Sequence, residues 1–313
     1  MSRRALLIHS PFLIDHLTGL DIDADVLGPG RDELSPDLAE RIEAVACGGD
    51  LPNALLDALP RLKLVACFST GYAGIDLAHL RARGIALTSG AGVNAHDVAD
   101  HALALFLACW HGIPTGDAYV RSGGWRGGLR QGLVPRRSLR GRRAGVIGLG
   151  RIGNAIAARL AAHEMEVAWW GPRANPAAQF PRADSLAALA EWSDALFVAS
   201  RATPENAGQV DATILRALGP RGVLVNISRG LLVDEDALVA TLASGEIGGA
   251  GIDVFVEEPT DAARWRDLPN VVLSPHVAGH TQEGGEALFG QLRANIEHYF
   301  RGEPLLTPVE DPV

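Results

Sequence analysis

Cysteine is scarce: three in 313 residues. Cys47, Cys67 and Cys109 are widely spaced and fit no CxxC or Cys/His pattern. That excludes a disulfide framework and a structural zinc, and it fits plain buried thiols in a reducing, cytoplasmic compartment. Long apolar runs are missing as well, since none reaches the roughly 18 residues a membrane span needs. The start, "MSRRALLIHSPF", has a brief apolar run and no small-residue cleavage site, so it reads as a first strand rather than a signal peptide. Positive charge is short: Lys and Arg total 28 against 37 Asp and Glu, a formal charge of −9. That balance argues against a nucleic-acid binder. The one basic run, "RRSLRGRR" at Arg136–Arg143, reads as a solvated arm rather than a phosphate patch. Solenoid repeats and low-complexity tracts are absent too.

What is present is a hydrophobic content of 47% on a chain too long for one ordinary core, which favours two domains. Short apolar runs alternate with longer mixed segments. "ALLIHS", "AVAC", "LKLVACFST" and "GIALTS" read as strands, and "SPDLAERIEA" as a helix between them. "VNAHDVADHALALFLACWHG" repeats its apolar residues at three and four, which predicts one long buried helix bridging into a second domain. After an irregular section at Ser122–Arg143 a second series begins: "RAGVIGLG", "EVAWWG", "DALFVAS", "GVLVNIS", "GGAGIDV", "NVVLSPH". A last helix is closed by Gly302. The alternation predicts an α/β protein with parallel sheets.

"VIGLGRIGNAIAARLAA" sets Gly148, Gly150 and Gly153 between an apolar strand and an amphipathic helix. The first glycine permits the tight turn and the second lets a pyrophosphate approach the backbone. The third lets the helix pack against the strand, with its N-terminal N–H groups facing the anion. A carboxylate about twenty residues further on ordinarily binds the ribose 2′-OH. That carboxylate is missing here. "EVAWWGPRAN" ends its strand on Gly171, Pro172 and Arg173, removing the group that repels a 2′-phosphate and supplying a cation that suits one. The site therefore reads as built for NADP(H), with NAD(H) possible. The simpler alternative is that Arg173 is merely solvent-exposed.

Three further motifs end strands. "VNISRGLLVDEDAL" places Arg229, "GAGIDVFVEEP" places Asp253 and Glu258, and "LSPHVAGHT" places His276. Carboxyl ends of strands in an open parallel sheet are where ligands bind, so these side chains point at one crevice. In this order and spacing the motifs resemble the D-isomer-specific 2-hydroxyacid dehydrogenases, closest in style to the NADP-dependent glyoxylate/hydroxypyruvate reductases. "STGYAGID", "VADHALAL", "GGW" and "NIEHYFRGEP" extend the likeness through most of the chain.

The resemblance implies a Rossmann-type nucleotide domain, 96–282, inserted into a smaller flavodoxin-like substrate domain, 1–95 plus 283–313, with the active site in the cleft between them. It implies Arg229 as a planar clamp on substrate oxygens, His276 as the proton donor for reduction and Glu258 as the holder of the imidazolium. Thr70, Gly71 and Tyr72, with Arg229 and His276, would bind the substrate. Arg151 and Ile152 would meet the pyrophosphate. Ile227 and Ser228 would line the nicotinamide pocket, with Asp253 accepting from its amide. Ser200, Arg201, Asn206 and Ala278 complete the implied coenzyme site. Arg201 departs from the proline common in relatives and could meet the phosphate or stack on adenine.

The implied reaction is reduction of a small 2-oxo acid, glyoxylate or hydroxypyruvate, to the D-2-hydroxy acid by a homodimer whose arm is 102–140. An NAD-dependent dehydrogenase of a larger 2-hydroxy acid and a nucleotide-sensing, corepressor-like binding protein are the competing readings. His280 lacks a third ligand and reads as pocket wall, so no metal is expected. His96, Asp97, Asp100 and His101 read as capping or interdomain hydrogen-bonding groups. Trp169 and Trp170 read as strand core and adenine-side wall.

Overall fold

A computed structural model describes residues 3–28, 34–126, 136–268 and 270–309. It divides into two compact units, Met1–Asn94 with Thr281–Val313, and Ala95–His280.

In the first unit the strands are β1 (Ala5–Ile8), β2 (Asp25–Leu27), β3 (Ile42–Cys47), β4 (Asp50–Leu51), β5 (Leu64–Cys67), β6 (Gly74–Ile75) and β7 (Ala86–Thr88). β4 and β6 pair only with each other. The remaining five form a parallel sheet in the order β2-β1-β3-β5-β7, the flavodoxin-like arrangement whose switch point lies between β1 and β3. β1 and β5 are buried along their whole length, as strands covered on both faces must be, and this explains their unbroken apolar runs.

One expected helix is cut short and runs into a strand. Ser35 caps a helix of only Pro36–Ala39, and the chain after it extends into β3. The capping serine and the proline behind it are true start signals. The residues that follow, Ile42, Ala44, Val45 and Ala46, are wholly enclosed, so sheet burial overrides the helical start. β3 and β5 also set Cys47 beside Cys67 in register, a pairing hidden by twenty residues of sequence. A hydrogen bond from Cys47, opposed by burial, draws the Cys67 thiol below its ordinary range. Gly302, at φ 72°, closes the terminal helix Gln282–Arg301 in the left-handed conformation.

The second unit holds β8 (Arg143–Ile147), β9 (Glu166–Trp170), β10 (Ala195–Val198), β11 (Val223–Asn226), β12 (Gly249–Ile252) and β13 (Val271–Leu273). All run parallel in the order β13-β12-β11-β10-β8-β9. The order reverses at β8, so the switch point falls at that strand's carboxyl end, where the glycine turn stands. The unit opens with the long helix Ala95–His111, packed on β11, β12 and helix Arg151–Ala162. Its Phe106 is fully enclosed, edge-on to Phe197 and tilted on Trp110. Cys109 lies on the same helix, and burial pushes its thiol up to about 11.

The basic run is neutralised within this unit. Arg137 bonds Asp194 at 2.7 Å and lies over Trp110, Arg140 pairs with Glu164, and Arg143 reaches Glu166 at 3.8 Å. These contacts support the arm reading. Part of the expected dimerisation arm, residues 127–135, lies outside the described residues.

Phe106→Ala removes a buried ring from a packed aromatic cluster and is expected to cost about 3–5 kcal/mol. Urea unfolding followed by circular dichroism checks this. A midpoint within error of wild type contradicts the packing described.

Candidate active site

The glycine turn joins β8 to helix Arg151–Ala162. Gly148 has φ 87°, and a Cβ there would stand 2.6 Å from the Ser200 Cα. A Cβ at Gly153 would stand 2.0 Å from the Gly148 carbonyl oxygen. Both positions therefore require glycine, for turn conformation and for helix approach. At Gly150 the opposite holds: a Cβ would meet nothing within 4 Å, and no side chain caps the helix. An open helix N-terminus at a switch point is the arrangement an anionic coenzyme needs. Arg151 is exposed and Ile152 half-buried at its first turn.

Beyond β9, Gly171 is buried while Pro172 and Arg173 are exposed. Trp169 is core, its indole N–H donating to the Phe180 carbonyl at 3.1 Å, whereas Trp170 is half-buried. A second cation stands here that the sequence reading passed over. Arg182 donates to the Gly171 carbonyl at 2.7 Å and lies over the Trp169 ring. Trp169 and Arg182 form a parallel bridge, an extra edge contact that no pattern around Arg182 announces.

The loops after β10 and β11 are tied together. The Ser228 hydroxyl donates to the Ser200 carbonyl at 2.6 Å, and Gln209 donates to the Ser200 Oγ at 2.9 Å. Asn206 accepts from the Thr203 N–H and donates to the Arg201 carbonyl. Its side chain is thus engaged within its own loop, and Arg201 itself is exposed. Ile227 and Ala278 are buried in one cluster with Val146 and Val225.

The three expected chemical residues lie within this unit. Glu258 accepts from the Phe255 N–H at 3.0 Å through Oε1, and its Oε2 stands 2.7 Å from the His276 Nδ1. Roughly two-fifths of each side chain is exposed (44% and 38%), open enough to meet a ligand. Arg229 is half-buried, with Nη1 donating to the Ser228 carbonyl at 2.6 Å, while the buried Asn226 amide donates to the Arg229 carbonyl. Gly230 lets this loop touch the Glu258 loop, because a Cβ there would fall 1.9 Å from the Phe255 carbonyl carbon. Glu257, the neighbour of Glu258, is exposed.

His276 has φ 54°, rare for a residue with a side chain. Its N–H donates to the Asp253 carbonyl at 2.7 Å. Asp253 is the residue whose carboxylate the resemblance sets against the nicotinamide amide. The structure encloses it completely, with donors on both carboxylate oxygens: the Ser274 hydroxyl at 2.6 Å and the Val277 N–H at 3.0 Å on Oδ1, and the Ala278 N–H at 2.9 Å on Oδ2. Asp253 therefore builds the loop that carries His276. His101, expected to cap a helix or bridge domains, reaches Ser274 at 2.8 Å instead. Asp100 pairs with Arg159, whose hydrogen bond holds the carboxyl below its ordinary range, and His96 faces the same guanidinium. These are ties between helices of one unit, not acid–base dyads. His280 is exposed, and no metal-ligand cluster occurs among the described residues.

In the other unit, Thr70 donates to the Gly90 carbonyl at 3.1 Å, and Ser69 bonds the Gly71 carbonyl. These bonds fix the turn at the carboxyl end of β5, and Tyr72 packs onto the core beneath it.

A family model described as "D-isomer specific 2-hydroxyacid dehydrogenase, NAD binding domain" matches residues 103–278. A hydroxyphenylpyruvate reductase of Plectranthus scutellarioides is 41% identical over 275 residues, 87% of this chain and 86% of its own. A glyoxylate/hydroxypyruvate reductase of Arabidopsis thaliana is 40% identical over 82% of this chain and 80% of its own. Among solved structures, an NADPH-dependent glyoxylate/hydroxypyruvate reductase of Sinorhizobium meliloti, in complex with NADP and malonate, superposes with a TM-score of 0.85. It shares 36% identity, and the match covers 98% of this chain and 97% of that one.

Proposed function

The chain belongs to the D-isomer-specific 2-hydroxyacid dehydrogenase family, and from that premise we propose that it reduces small 2-oxo acids, glyoxylate and hydroxypyruvate among them, to D-2-hydroxy acids with NADPH. The observation that carries the proposal is the 2.7 Å pair of His276 and Glu258, which a binding protein without turnover does not need. Residues 95–280 are read as the nucleotide domain, and the unit Met1–Asn94 with Thr281–Val313 as the substrate domain.

The coenzyme, when bound, supplies a hydride to the ketone carbon. The protein does the rest. Gly148, Gly150 and Gly153 open the helix N-terminus to the pyrophosphate, with Arg151 and Ile152 at its first turn. Glu258 accepts from the His276 Nδ1–H, so in the imidazolium the transferable proton is the one on Nε2, available to a substrate oxygen. Glu258 also steadies the cation that His276 becomes in the reverse direction. Arg229 presents a planar fork to substrate oxygens, and Thr70, Gly71 and Tyr72 hold the carboxylate. Asp253 acts through the loop it builds. A carboxylate is missing where it would repel a 2′-phosphate, and Arg173 with Arg182 near Gly171 favours one. NADPH use is also what the name of the Sinorhizobium meliloti relative states. Helix Ile113–Arg121 buries none of its residues and leaves Ile113, Val120 and the following Trp125 exposed, a face that supports a homodimer.

Three outcomes check this reading. His276→Ala is expected to lower kcat about 10²–10⁴-fold as a proton donor is lost, with coenzyme binding retained; near-normal turnover removes the assignment. Wild type is expected to prefer NADPH to NADH at least about tenfold in kcat/KM. Arg173→Ala should erode that preference through the KM for NADPH, and equal use of both coenzymes refutes it. In sedimentation velocity the wild type is expected as a dimer and Trp125→Asp as a weakened one, and a monomeric wild type ends the dimer proposal.

A further inference from the structure

The chemistry above leaves His101 without a task. It lies on the helix Ala95–His111, a quarter of its side chain exposed (26%). Its neighbours Ala102, Leu105 and Phe106 are locked in the core, so its backbone is a fixed support. Its Nε2 stands 2.8 Å from the Ser274 Oγ and 3.4 Å from the Asp253 Oδ1.

The direction of these bonds follows from counting protons. A serine hydroxyl carries one, and Ser274 gives it to Asp253 at 2.6 Å. Towards His101 the Ser274 oxygen can then only accept, so His101 Nε2 carries a proton. Asp253 is wholly enclosed, and a buried carboxylate persists only where donors or a cation compensate it. Ser274, Val277 and Ala278 supply donors. His101 Nε2 adds a polar neighbour 3.4 Å from the Asp253 Oδ1.

The three donors to the carboxylate come from the stretch that brackets His276, and His101 reaches that network from the helix through Ser274. Ser274 lies two residues before His276, and Val277 and Ala278 follow it directly. The His276 N–H itself is taken by the Asp253 carbonyl at 2.7 Å. A left-handed backbone at a residue with a side chain costs free energy and persists only when its surroundings over-determine it. The Asp253 network is that surrounding, and His101 is its tie to a rigid helix.

We infer that His101 is a positioning residue for catalysis. Through Ser274 and Asp253 it holds His276 in its left-handed conformation, with the imidazole on Glu258. The catalytic half of the inference rests on the reading of His276 as proton donor. His101 touches neither His276 nor Glu258 in any bond described here, and the loss of its N–H would release the loop rather than the proton.

The test compares His101→Met, which fills the space without a donor, with His101→Gln, whose amide keeps one. Amide exchange by NMR reports the loop, and steady-state turnover of glyoxylate with NADPH reports the chemistry. In His101→Met the Val277 and Ala278 amides are expected to exchange about tenfold faster, the size of one lost hydrogen bond, with β8–β11 unchanged. Its kcat is expected to fall about 10- to 100-fold, as misplacement of a reacting group does. His101→Gln is expected to restore most of both. Unchanged Val277 and Ala278 protection in His101→Met overturns the inference, as does a kcat within about twofold of wild type or a Gln variant no better than Met. Faster exchange in His101→Met, alongside a wild type that reduces no 2-oxo acid, overturns the proton-donor reading while supporting the hold of His101 on the loop.

Discussion

A carboxylate sealed from water cannot be left unsatisfied, and in this protein that constraint organises the candidate catalytic loop. Asp253 directly follows β12 with no exposed surface, and the chain after β13 wraps its backbone and a serine around both oxygens. An unpaired buried acceptor costs about 1–3 kcal/mol, so the loop has one favourable way to close. That closure fixes where His276 stands relative to Glu258.

Glycine serves the same end by subtraction. At Gly153 and Gly230 a methyl group would collide with main-chain atoms, so in one place a helix closes on its turn and in the other two loops meet, each nearer than any other side chain permits. At Gly150 there is open space, and here the absent side chain leaves room for a ligand. The same residue type thus does two opposite jobs within one unit, packing and vacancy, and the spacing of the motif conceals the difference.

Much of this was legible in sequence because the signals were local. The turn at Gly148–Gly153 needs a strand before it and a helix after it, and both are written in adjacent residues. Arg229, Glu258 and His276 each follow an apolar run directly, so strand ends could be read without knowing the sheet order. What escaped depends on distance. His101 meets Ser274 across 173 positions, and Cys47 meets Cys67 only because β3 and β5 pair. The enclosure of Asp253 escaped for a related reason: residue type and position say nothing of burial, which is a property of the folded neighbourhood. The helix expected at "SPDLAERIEA" stops after Pro36–Ala39 because start signals act over one turn, while burial acts over the whole sheet.

The left-handed backbone at His276 also bears on how this chain can be improved. Glycine occupies that conformation at little cost, and a histidine there is strained by about 1–3 kcal/mol. A search that rewards thermal resistance alone would therefore drift toward removing the imidazole, and with it the proton donor proposed for this site. On that proposal, selection for robustness has to be coupled to turnover, since at residue 276 the two demands pull in opposite directions.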